Sequence, residues 1–217
     1  MSPQSPKPED FNSKYALSPQ DGPYGILYPY VWYQERNPGL AGYNQTPVAF
    51  NPEVGSVSCP TDSSMRRFLS EESMNNFPKK FSSNLNDTWG YHKYISFTTS
   101  DTNTVEGDYD FIYAYGPPGD IEEYSIRAQL VQYEQYRALF EGYRLHQWEY
   151  YNAVLMWKSQ SPWPTFRGAL YDYYLEQTGG FFGVKKALLL GGSAEFGGLH
   201  VQLNPRTLEA TRYYIIY

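Results

Sequence analysis

The sequence predicts an α/β fold in which parallel strands are joined by crossover helices. Two apolar segments, residues 47–52 and 151–157, have the character of buried strands, and each is followed by a helical pattern. A long helical pattern, residues 120–143, lies between them. This order is typical of β-α units, in which connecting helices place successive strands parallel. Two such units make a poor open sheet and cannot close a barrel, so the sequence predicts part of a larger domain.

The first 46 residues carry little periodicity. Residues 1–20 combine Ser, Pro, Gln and charge, and we predict that they are disordered. Residues 21–46 are rich in Gly, Pro and Tyr and predict a long surface loop with a helical turn, a kind of loop that is often functional. The strand of residues 47–52 follows, and Glu53 comes directly after it, before a flexible Gly-Ser pair.

Residues 61–74 predict the helix that follows the first strand. Thr61 or Asp62 can serve as its N-cap. Apolar residues then recur at helical spacing, at Met65, Phe68 and Leu69. Residues 75–116 predict a polar connection with little regular structure and one aromatic cluster, residues 89–97.

The long helix is the clearest element of the chain. A Pro-Pro-Gly sequence precedes it, Asp120 is placed to cap it, and Glu123 stands three positions later as the partner of a capping box. The following apolar residues recur every three or four positions and predict a single apolar stripe. They are Ile126, Leu130, Tyr133, Tyr136, Phe140 and Tyr143.

The last third of the chain predicts a strand, a helix and the start of a β domain. Residues 151–157 (YNAVLMW) are apolar without alternation, which favours a strand buried on both faces. A second helix is predicted from about residue 165 to 175, before a short apolar segment that ends near residue 190. Residues 199–217 contain HVQLN, a Pro-Arg turn and TRYYIIY, which predict one or two strands of a β domain.

Composition excludes several classes of partner. The net charge of −6 gives no reason to expect nucleic acid or an anionic membrane surface. No apolar stretch approaches the roughly 20 residues of a membrane-spanning helix. We therefore predict no nucleic acid and no membrane partner. The first residues lack the apolar core of a secretory signal, which leaves a vacuolar or an intracellular location open.

Cysteine, histidine and glycine patterns are equally informative. The single cysteine, Cys59, cannot form an intramolecular disulfide. Because no His lies at a suitable spacing to activate its thiol, we do not predict that Cys59 is a nucleophile. Isolated His residues without a second His or Cys nearby predict no metal site. The sequence lacks G-x-S-x-G, a P-loop and G-x-G-x-x-G, so we predict no cofactor.

Aromatic content points to sugars or to a tyrosine-rich core. Aromatic residues make up 18% of the chain, with 23 Tyr, 12 Phe and 5 Trp. Their faces can stack on the C–H faces of pyranose rings, and the alternative is a core and interfaces rich in Tyr. Charged residues are also only 18%, which is low for a free-standing surface.

Glu53 is the first candidate for chemistry. In a parallel α/β barrel, catalytic groups project from the carboxyl ends of the strands, where a carboxylate can act as nucleophile or as acid/base. The alternative is a Glu that caps a helix or forms a salt bridge. Trp157 closes the second strand, and Trp163 in the following loop could complete a sugar-stacking surface. The alternative there is ordinary packing.

The resemblance to a known family rests on five quoted blocks. FNPEVGSV, YHKYI, IRAQLVQYEQYRALFEGY, VLMWKSQSPWPTFRGALYDYYLEQTGGFFGVKKA and HVQLN resemble the catalytic region of glycoside hydrolase family 2, over about residues 21–203. Plant-type mannosylglycoprotein endo-β-mannosidases are the most similar members, followed by exo-β-D-glucosaminidases. Residues 188–198 form a longer link than the family has.

The resemblance implies a specific architecture. The family has a (β/α)₈ TIM barrel flanked by β-sandwich domains and uses two carboxylates in a retaining mechanism. It implies that residues 21–190 are the C-terminal portion of the barrel, with its last two βα units, and that residues 191–217 are a linker and the start of a truncated β-sandwich. Glu53 is then the nucleophile at the end of the seventh strand, and Trp157 lies at the end of the eighth.

The resemblance also implies that a second carboxyl group is needed, about 5–5.5 Å from the first. In the family this acid/base lies on the fourth strand, so we expect it outside this chain, on the missing N-terminal part of the enzyme. The isolated chain is then expected to be inactive.

Three hypotheses follow. The first is a fragment of a retaining hydrolase that cleaves β-mannosidic linkages of the N-glycan core, or glucosaminides in the alternative. The second is a non-catalytic, glycan-binding remnant, and the third is an interaction protein of unrelated fold. In the first hypothesis, Glu53 is the nucleophile and Lys158 contacts a sugar hydroxyl group. The residues that line the sugar subsites are Trp89, His92, Trp157 and Trp163.

Overall fold

The computed structural model describes residues 29–33, 50–79, 87–97, 110–145, 147, 153–189, 194–196, 199–203 and 210–214. Its elements, in chain order, are the 3₁₀ turn Pro29–Tyr33, the strand β1 (Phe50–Val54), the helices α1 (Asp62–Met65), α2 (Glu71–Asn75) and α3 (Asp87–Tyr91), the 3₁₀ turn Tyr113–Tyr115, the helix α4 (Ile121–Leu145), the strand β2 (Ala153–Met156), the helix α5 (Gly179–Leu189), and the strands β3 (Ala194–Phe196), β4 (Leu199–Leu203) and β5 (Ala210–Tyr214). The predicted disorder of residues 1–20 lies outside the described residues.

β1 and β2 lie side by side as a parallel pair. The register runs from Phe50 opposite Ala153 to Val54 opposite Met156, with an irregularity in between. This confirms the α/β class and the predicted parallel arrangement. β1 extends to Val54, so Glu53 lies within the strand rather than after it. Residues 47–49 and 151–152, which were predicted to begin the two strands, lie outside the described residues.

The prediction that β2 is buried on both faces is wrong. Val154 packs against the cluster of Val54 and α4 residues, but Leu155 is 51% exposed. Successive side chains of a strand point to opposite faces, so Leu155 points away from α4. The described residues leave that face of the two-stranded sheet open. A fully apolar strand is typical of a sheet covered on both sides, and here one covering layer is not among the described residues.

α4 is a 25-residue helix that begins as the sequence predicts. The Glu123 backbone N–H donates to Asp120 Oδ1 at 2.8 Å, which is the predicted cap. The Glu123 carboxylate accepts from the Gly119 N–H at 2.9 Å, one residue before the position of a standard capping box. Local sequence signals therefore fix this helix start.

The predicted apolar stripe of α4 is wrong in part. Tyr136 and Tyr143 are buried, but Ile126 and Leu130 are 61% and 41% exposed. The buried face is turned toward smaller and polar residues, including Ala128, Val131, Gln132, Gln135, Ala138 and Leu139. The face turns because α4 packs on irregular backbone, which needs hydrogen-bonding partners, and on the glycines of α5, which allow a close approach.

The single helix predicted over residues 61–74 is two short helices. The Thr61 side chain accepts from the Ser64 N–H and caps α1, as predicted. Ser70 then caps α2 by accepting from the Ser73 N–H at 3.2 Å. A second N-cap inside the predicted span explains the break, because a cap residue adopts extended rather than helical backbone angles.

The helix predicted from about residue 165 to 175 is absent, and α5 takes its place further along the chain. The connection is instead held by backbone bonds to the residues after β2. The Leu170 N–H donates to the Lys158 oxygen at 3.3 Å, and the Tyr171 N–H donates to the Ser159 oxygen at 2.8 Å. α5 begins at Gly179, where Ala would not fit, because a Cβ there would lie 1.9 Å from the Gln129 carbonyl oxygen of α4.

The described core consists of two clusters. The smaller joins the sheet to α4 and the first 3₁₀ turn: Trp32, Val54, Ala138, Leu139 and Tyr143. The larger joins α1, α2, α3 and the first half of α4 and includes Met65, Met74, Trp89, Tyr94, Ile112, Tyr124, Val131 and Phe166. The tyrosine-rich packing considered from composition is thus observed.

The C-terminal strands pair antiparallel in the order β3-β4-β5. His200 lies opposite Glu195 of β3 and opposite Tyr213 of β5. The predicted strands over HVQLN and TRYY are confirmed, and β3 adds a strand that the sequence pattern did not predict. The assignment of these strands to a β-sandwich domain stays a prediction.

Candidate active site

Glu53 occupies the second-last position of β1. Its neighbour Val54 is completely buried against α4 residues, among them Leu139 and Tyr143. The pairing of β1 with β2 is irregular between Asn51 and Val54, the stretch that contains Glu53. Such irregularities change the direction of side chains at strand ends and are common next to active sites. The Glu53 side chain is half-buried, so solvent and ligand can reach it.

Trp157 follows the end of β2 and lies beside the end of β1. Its backbone N–H donates to the Val54 carbonyl oxygen at 2.8 Å, which extends the parallel pairing by one residue. Its indole is 45% exposed. The peptide bond between Trp157 and Lys158 is cis. Glu53 and Trp157 therefore stand at the carboxyl ends of neighbouring parallel strands, where parallel α/β folds place ligands.

Lys158 joins this group with a cation. Its Nζ lies 5.7 Å from the centroid of the Trp157 ring, within reach of a cation–π interaction. Partial burial lowers the pKa of Lys158, and the charge of Arg167 lowers it further. The ammonium is a hydrogen-bond donor next to an exposed aromatic face. That pairing of stacking and donation suits a pyranose ring and its hydroxyl groups.

His92 and Trp163 form a second aromatic group together with Phe68 and Tyr91. The His92 ring stacks on Trp163 with centroids 5.7 Å apart and an interplanar angle of 26°, and Phe68 packs at 4.6 Å. His92 Nδ1 is 2.8 Å from the Pro164 oxygen. This bond fixes the His92 ring against the loop that carries Trp163. Tyr91, 68% exposed, stands edge-on to Trp163.

The prediction for Trp89 is wrong. We predicted that it lines a sugar subsite, but its side chain is completely buried. Its indole stacks on Phe166 at 4.7 Å, and its Nε1–H donates to the Ser73 carbonyl oxygen at 2.9 Å. A ring without accessible surface cannot stack on a sugar. Trp89 therefore fastens α3 to α2 and to the core, and we do not carry it into the proposed site.

The structure thus brings together Glu53, Trp157 and Lys158, and separately stacks His92 on Trp163. Tyr91 and Arg167 were not predicted as site residues from the sequence. The aromatic cluster of residues 89–97 held a signal for Tyr91, but sequence alone does not tell an exposed aromatic residue from a buried one. The sequence held no such signal for Arg167. Its charge lowers the pKa of Lys158, and it lies in a loop that was predicted to be helical.

Within the described residues, no group of His, Cys, Asp and Glu is arranged to hold a metal ion. A search of the same residues finds no helix with the length and apolar character needed to cross a membrane.

The chain has clear relatives among curated proteins, although no protein-family model matches it. It is 39% identical over 194 residues to a mannosylglycoprotein endo-β-mannosidase of Lilium longiflorum, and the match covers 86% of this chain and 18% of that protein. It is 32% identical over 170 residues to an exo-β-D-glucosaminidase of Arthroderma benhamiae, which covers 76% and 18%. The chain is a relative of the glycoside hydrolase family 2 enzymes. It spans less than one fifth of the length of either protein.

A solved structure supports the same relationship at the level of the fold. The exo-chitosanase of Amycolatopsis orientalis superposes with a TM-score of 0.56 at 23% identity, over 88% of this chain and 21% of that one. At this identity the likeness concerns the fold alone. It agrees with an α/β segment of a glycoside hydrolase family 2 enzyme, whose structural neighbours combine a TIM barrel with sandwich domains.

Proposed function

We propose that this chain is the C-terminal portion of the catalytic barrel of a retaining β-mannosidase that cleaves mannosidic linkages of the N-glycan core type. Glu53 is the nucleophile, and the acid/base is contributed by a segment outside this chain. The observation that carries the proposal is the place of Glu53, near the carboxyl end of β1 and beside the end of the parallel strand β2. The identity to the lily endo-β-mannosidase favours a mannoside as substrate.

The chemistry follows from two carboxylates about 5–5.5 Å apart. Glu53 attacks the anomeric carbon while the acid/base protonates the leaving oxygen, and a glycosyl-enzyme ester forms. Water then cleaves the ester, assisted by the same acid/base, with net retention. A carboxylate held near the developing oxocarbenium ion also stabilises its positive charge.

The sugar subsites use the aromatic residues that the structure leaves accessible. Trp157 offers a stacking face at the strand end, and Lys158 donates to a hydroxyl group of the bound sugar. Trp163 offers a second stacking face, in the loop that follows β2, and the His92 ring stacks on its other side. The His92 Nδ1–H donates to the Pro164 carbonyl oxygen, which holds the imidazole against Trp163 as part of this subsite.

The partner that completes the site is the N-terminal part of the same enzyme. Leu155 and Trp157 are exposed on the sheet face that would line the inside of a barrel. Two strands alone leave such a face open, and a complete barrel covers it with layers of side chains. The rest of the barrel would therefore bury Leu155, leave Trp157 at the barrel mouth where the sugar binds, and bring the acid/base toward Glu53.

Reconstitution tests the proposal. The chain is produced alone and together with the part of the lily relative that precedes the matched segment, and hydrolysis of an activated β-mannoside is measured. We expect no turnover by either part alone and turnover by the pair. Glu53→Gln should abolish turnover while substrate binding persists, and Glu122→Gln, an exposed carboxylate on α4, should change nothing. Turnover that persists in the Glu53→Gln pair would show that Glu53 is not the nucleophile.

A second candidate is an exo-β-D-glucosaminidase-type fragment, favoured by the Arthroderma benhamiae relative and the solved exo-chitosanase. The same reconstituted pair separates the two candidates. If the second candidate holds, the pair hydrolyses a β-glucosaminide faster than a β-mannoside. A third outcome, glycan binding without turnover in any combination, would identify a non-catalytic remnant.

A further inference from the structure

The segment directly after β1 is buried but belongs to no helix or strand. Residues 55–59 lie in the interior, and their backbone groups need hydrogen-bond partners there. Tyr136 of α4 serves both backbone groups of Ser56. Its hydroxyl donates to the Ser56 carbonyl oxygen at 2.9 Å and accepts from the Ser56 N–H at 3.3 Å. The Tyr136 side chain has no accessible surface.

Two glutamines of α4 hold the other end of the same segment. The Nε2 groups of Gln129 and Gln132 donate to the Cys59 carbonyl oxygen at 2.6 and 2.9 Å. Gln129 Oε1 accepts from the Gly179 N–H at the start of α5, at 2.5 Å. Polar residues are therefore buried on α4 where backbone of the segment and of α5 needs partners. This explains why the apolar stripe predicted for α4 does not form its inner face.

The Tyr136 ring has little room to move. A Cβ at Gly180 would lie 2.8 Å from the ring, and a Cβ at Gly168 would lie 2.9 Å from the hydroxyl and 2.1 Å from the Ser56 oxygen. Both positions therefore require glycine if Tyr136 and Ser56 are to stay where they are. The loop after β2 and the start of α5 thus fix the hydroxyl from two sides.

Glu53 lies between two anchors of the backbone. Before Glu53, Phe50 and Asn51 of β1 pair with Ala153 and Val154 of β2. After Glu53, the Trp157 N–H bonds to the Val54 oxygen, and two residues further on Tyr136 fixes Ser56. A catalytic group must be held within a fraction of an ångström of its productive position, because a shift of about 1 Å costs about 100-fold in rate.

We infer that Tyr136 is a positioning residue for Glu53, which acts by fixing the backbone of Ser56 through its buried hydroxyl. The inference rests on the proposed function for its kinetic consequence. Its structural content, a Glu53 carboxylate whose surroundings depend on the Tyr136 hydroxyl, stands apart from any activity.

The matched comparison is Tyr136→Phe against Tyr124→Phe. Both residues are completely or almost completely buried on α4, and both hydroxyls are hydrogen-bonded, but Tyr124 bonds to Tyr94 at 2.7 Å and not to the segment after β1. Each substitution removes one oxygen and keeps the ring. A role confined to stability would make the two variants alike.

The first readout is NMR on the chain itself. Tyr136→Phe should speed hydrogen exchange of the Ser56 amide by about tenfold and shift the carboxyl ¹³C resonance of Glu53, while Tyr124→Phe should change neither. In the unsubstituted chain the Ser56 amide should be as protected as the core amides of α4. Rapid exchange there, or equal effects of the two variants, would overturn the inference without reference to catalysis.

The second readout is kinetic, on the reconstituted pair. Tyr136→Phe should lower kcat by about tenfold to 100-fold with little change in KM, because binding contacts persist while the nucleophile is displaced. Tyr124→Phe should keep both constants. If Glu53→Gln retains turnover, the proposed function fails, but the NMR result still decides the role of Tyr136. Unchanged kcat in Tyr136→Phe, with Glu53 shown to be essential, would overturn the positioning role.

Discussion

Gly183→Ala offers a sharp test of how α4 and α5 pack. Gly183 is buried in the interior of α5, and a Cβ there would lie 2.3 Å from the Tyr133 carbonyl oxygen and 3.0 Å from the Arg137 nitrogen of α4. Real Cβ atoms essentially never come closer than 3.0 Å to such an atom. Since both neighbours are backbone atoms, the substitution must move the helices apart by about 0.7 Å, the difference between those two distances.

Two opposing effects set the magnitude. Alanine is favoured over glycine in a helix interior by about 1 kcal/mol, which would stabilise the variant. Overpacking costs about 1–3 kcal/mol, and a clash with backbone belongs at the upper end because no side chain can rotate away. We expect a net loss of about 2 kcal/mol in the free energy of unfolding. With a urea dependence of about 2 kcal/mol per molar, the unfolding midpoint falls by about 1 M.

The assay is urea unfolding followed by tryptophan fluorescence, since Trp32 and Trp89 are fully buried and report on both core clusters. Gly90→Ala is the matched control, because a Cβ at Gly90 in α3 meets no atom within 4 Å. Its midpoint should stay unchanged or rise slightly. A Gly183→Ala midpoint equal to or above that of the unsubstituted chain would refute the close packing of α4 and α5.

Two further predictions concern the start of α4 and the buried tyrosines. Asp120→Ala should lower the free energy of unfolding by about 1 kcal/mol, and Asp120→Asn, which keeps the cap, should not; equal losses in the same urea assay would contradict the cap. Burial raises the pKa of the Tyr94 and Tyr124 hydroxyls well above the usual value, so the folded chain keeps both neutral where the unfolded chain ionises. The stability from this difference is complete below about pH 10 and is lost as the pH rises further. Urea midpoints at pH 8 and pH 11 should therefore fall more in the unsubstituted chain than in Tyr94→Phe/Tyr124→Phe, and equal falls would contradict it.

Local signals could be predicted from the sequence because they act over a few residues. Asp120 and Glu123 begin α4 through side chains that reach backbone groups three or four positions away. Thr61 caps α1 in the same way. The parallel order of β1 and β2 also follows from the sequence, because the rule for crossover connections needs only the order of the elements.

The buried face of α4 could not be predicted, because it depends on what packs there. Ile126 is apolar and exposed, whereas Gln132 is polar and buried with its amide bonded to Cys59. Periodicity finds the most apolar face of a helix. Here the inner face must satisfy irregular backbone, and only the tertiary structure shows which residues can do so.

The helix after β2 could not be placed for a related reason. The sequence pattern predicts it from about residue 165 to 175, but α5 spans Gly179–Leu189, where its glycines allow it to approach α4 closely. A single sequence does not show which glycines lie at a close contact between two helices. The segment that was predicted to be helical is instead a loop held by backbone bonds.

The candidate site shows the same division. The positions of Glu53 and Trp157 at the carboxyl ends of neighbouring strands could be predicted, because the rule for parallel strands needs no knowledge of side-chain packing. Trp89 could not be distinguished from an exposed tryptophan, because Tyr124 and Phe166, which pack on it, lie far along the chain. The roles of Glu53, Trp157, Lys158, His92 and Trp163 in catalysis and binding stay predictions.

The most direct test of the central claim is to find which residue carries the covalent intermediate. The reconstituted pair is incubated with an activated 2-deoxy-2-fluoro-β-mannoside, which slows hydrolysis of the glycosyl-enzyme ester, and the labelled peptide is identified by mass spectrometry. The account predicts one added sugar on the peptide that spans residues 50–60, attached to Glu53. A sugar on any other carboxylate, or no label in a preparation that turns over substrate, would contradict it.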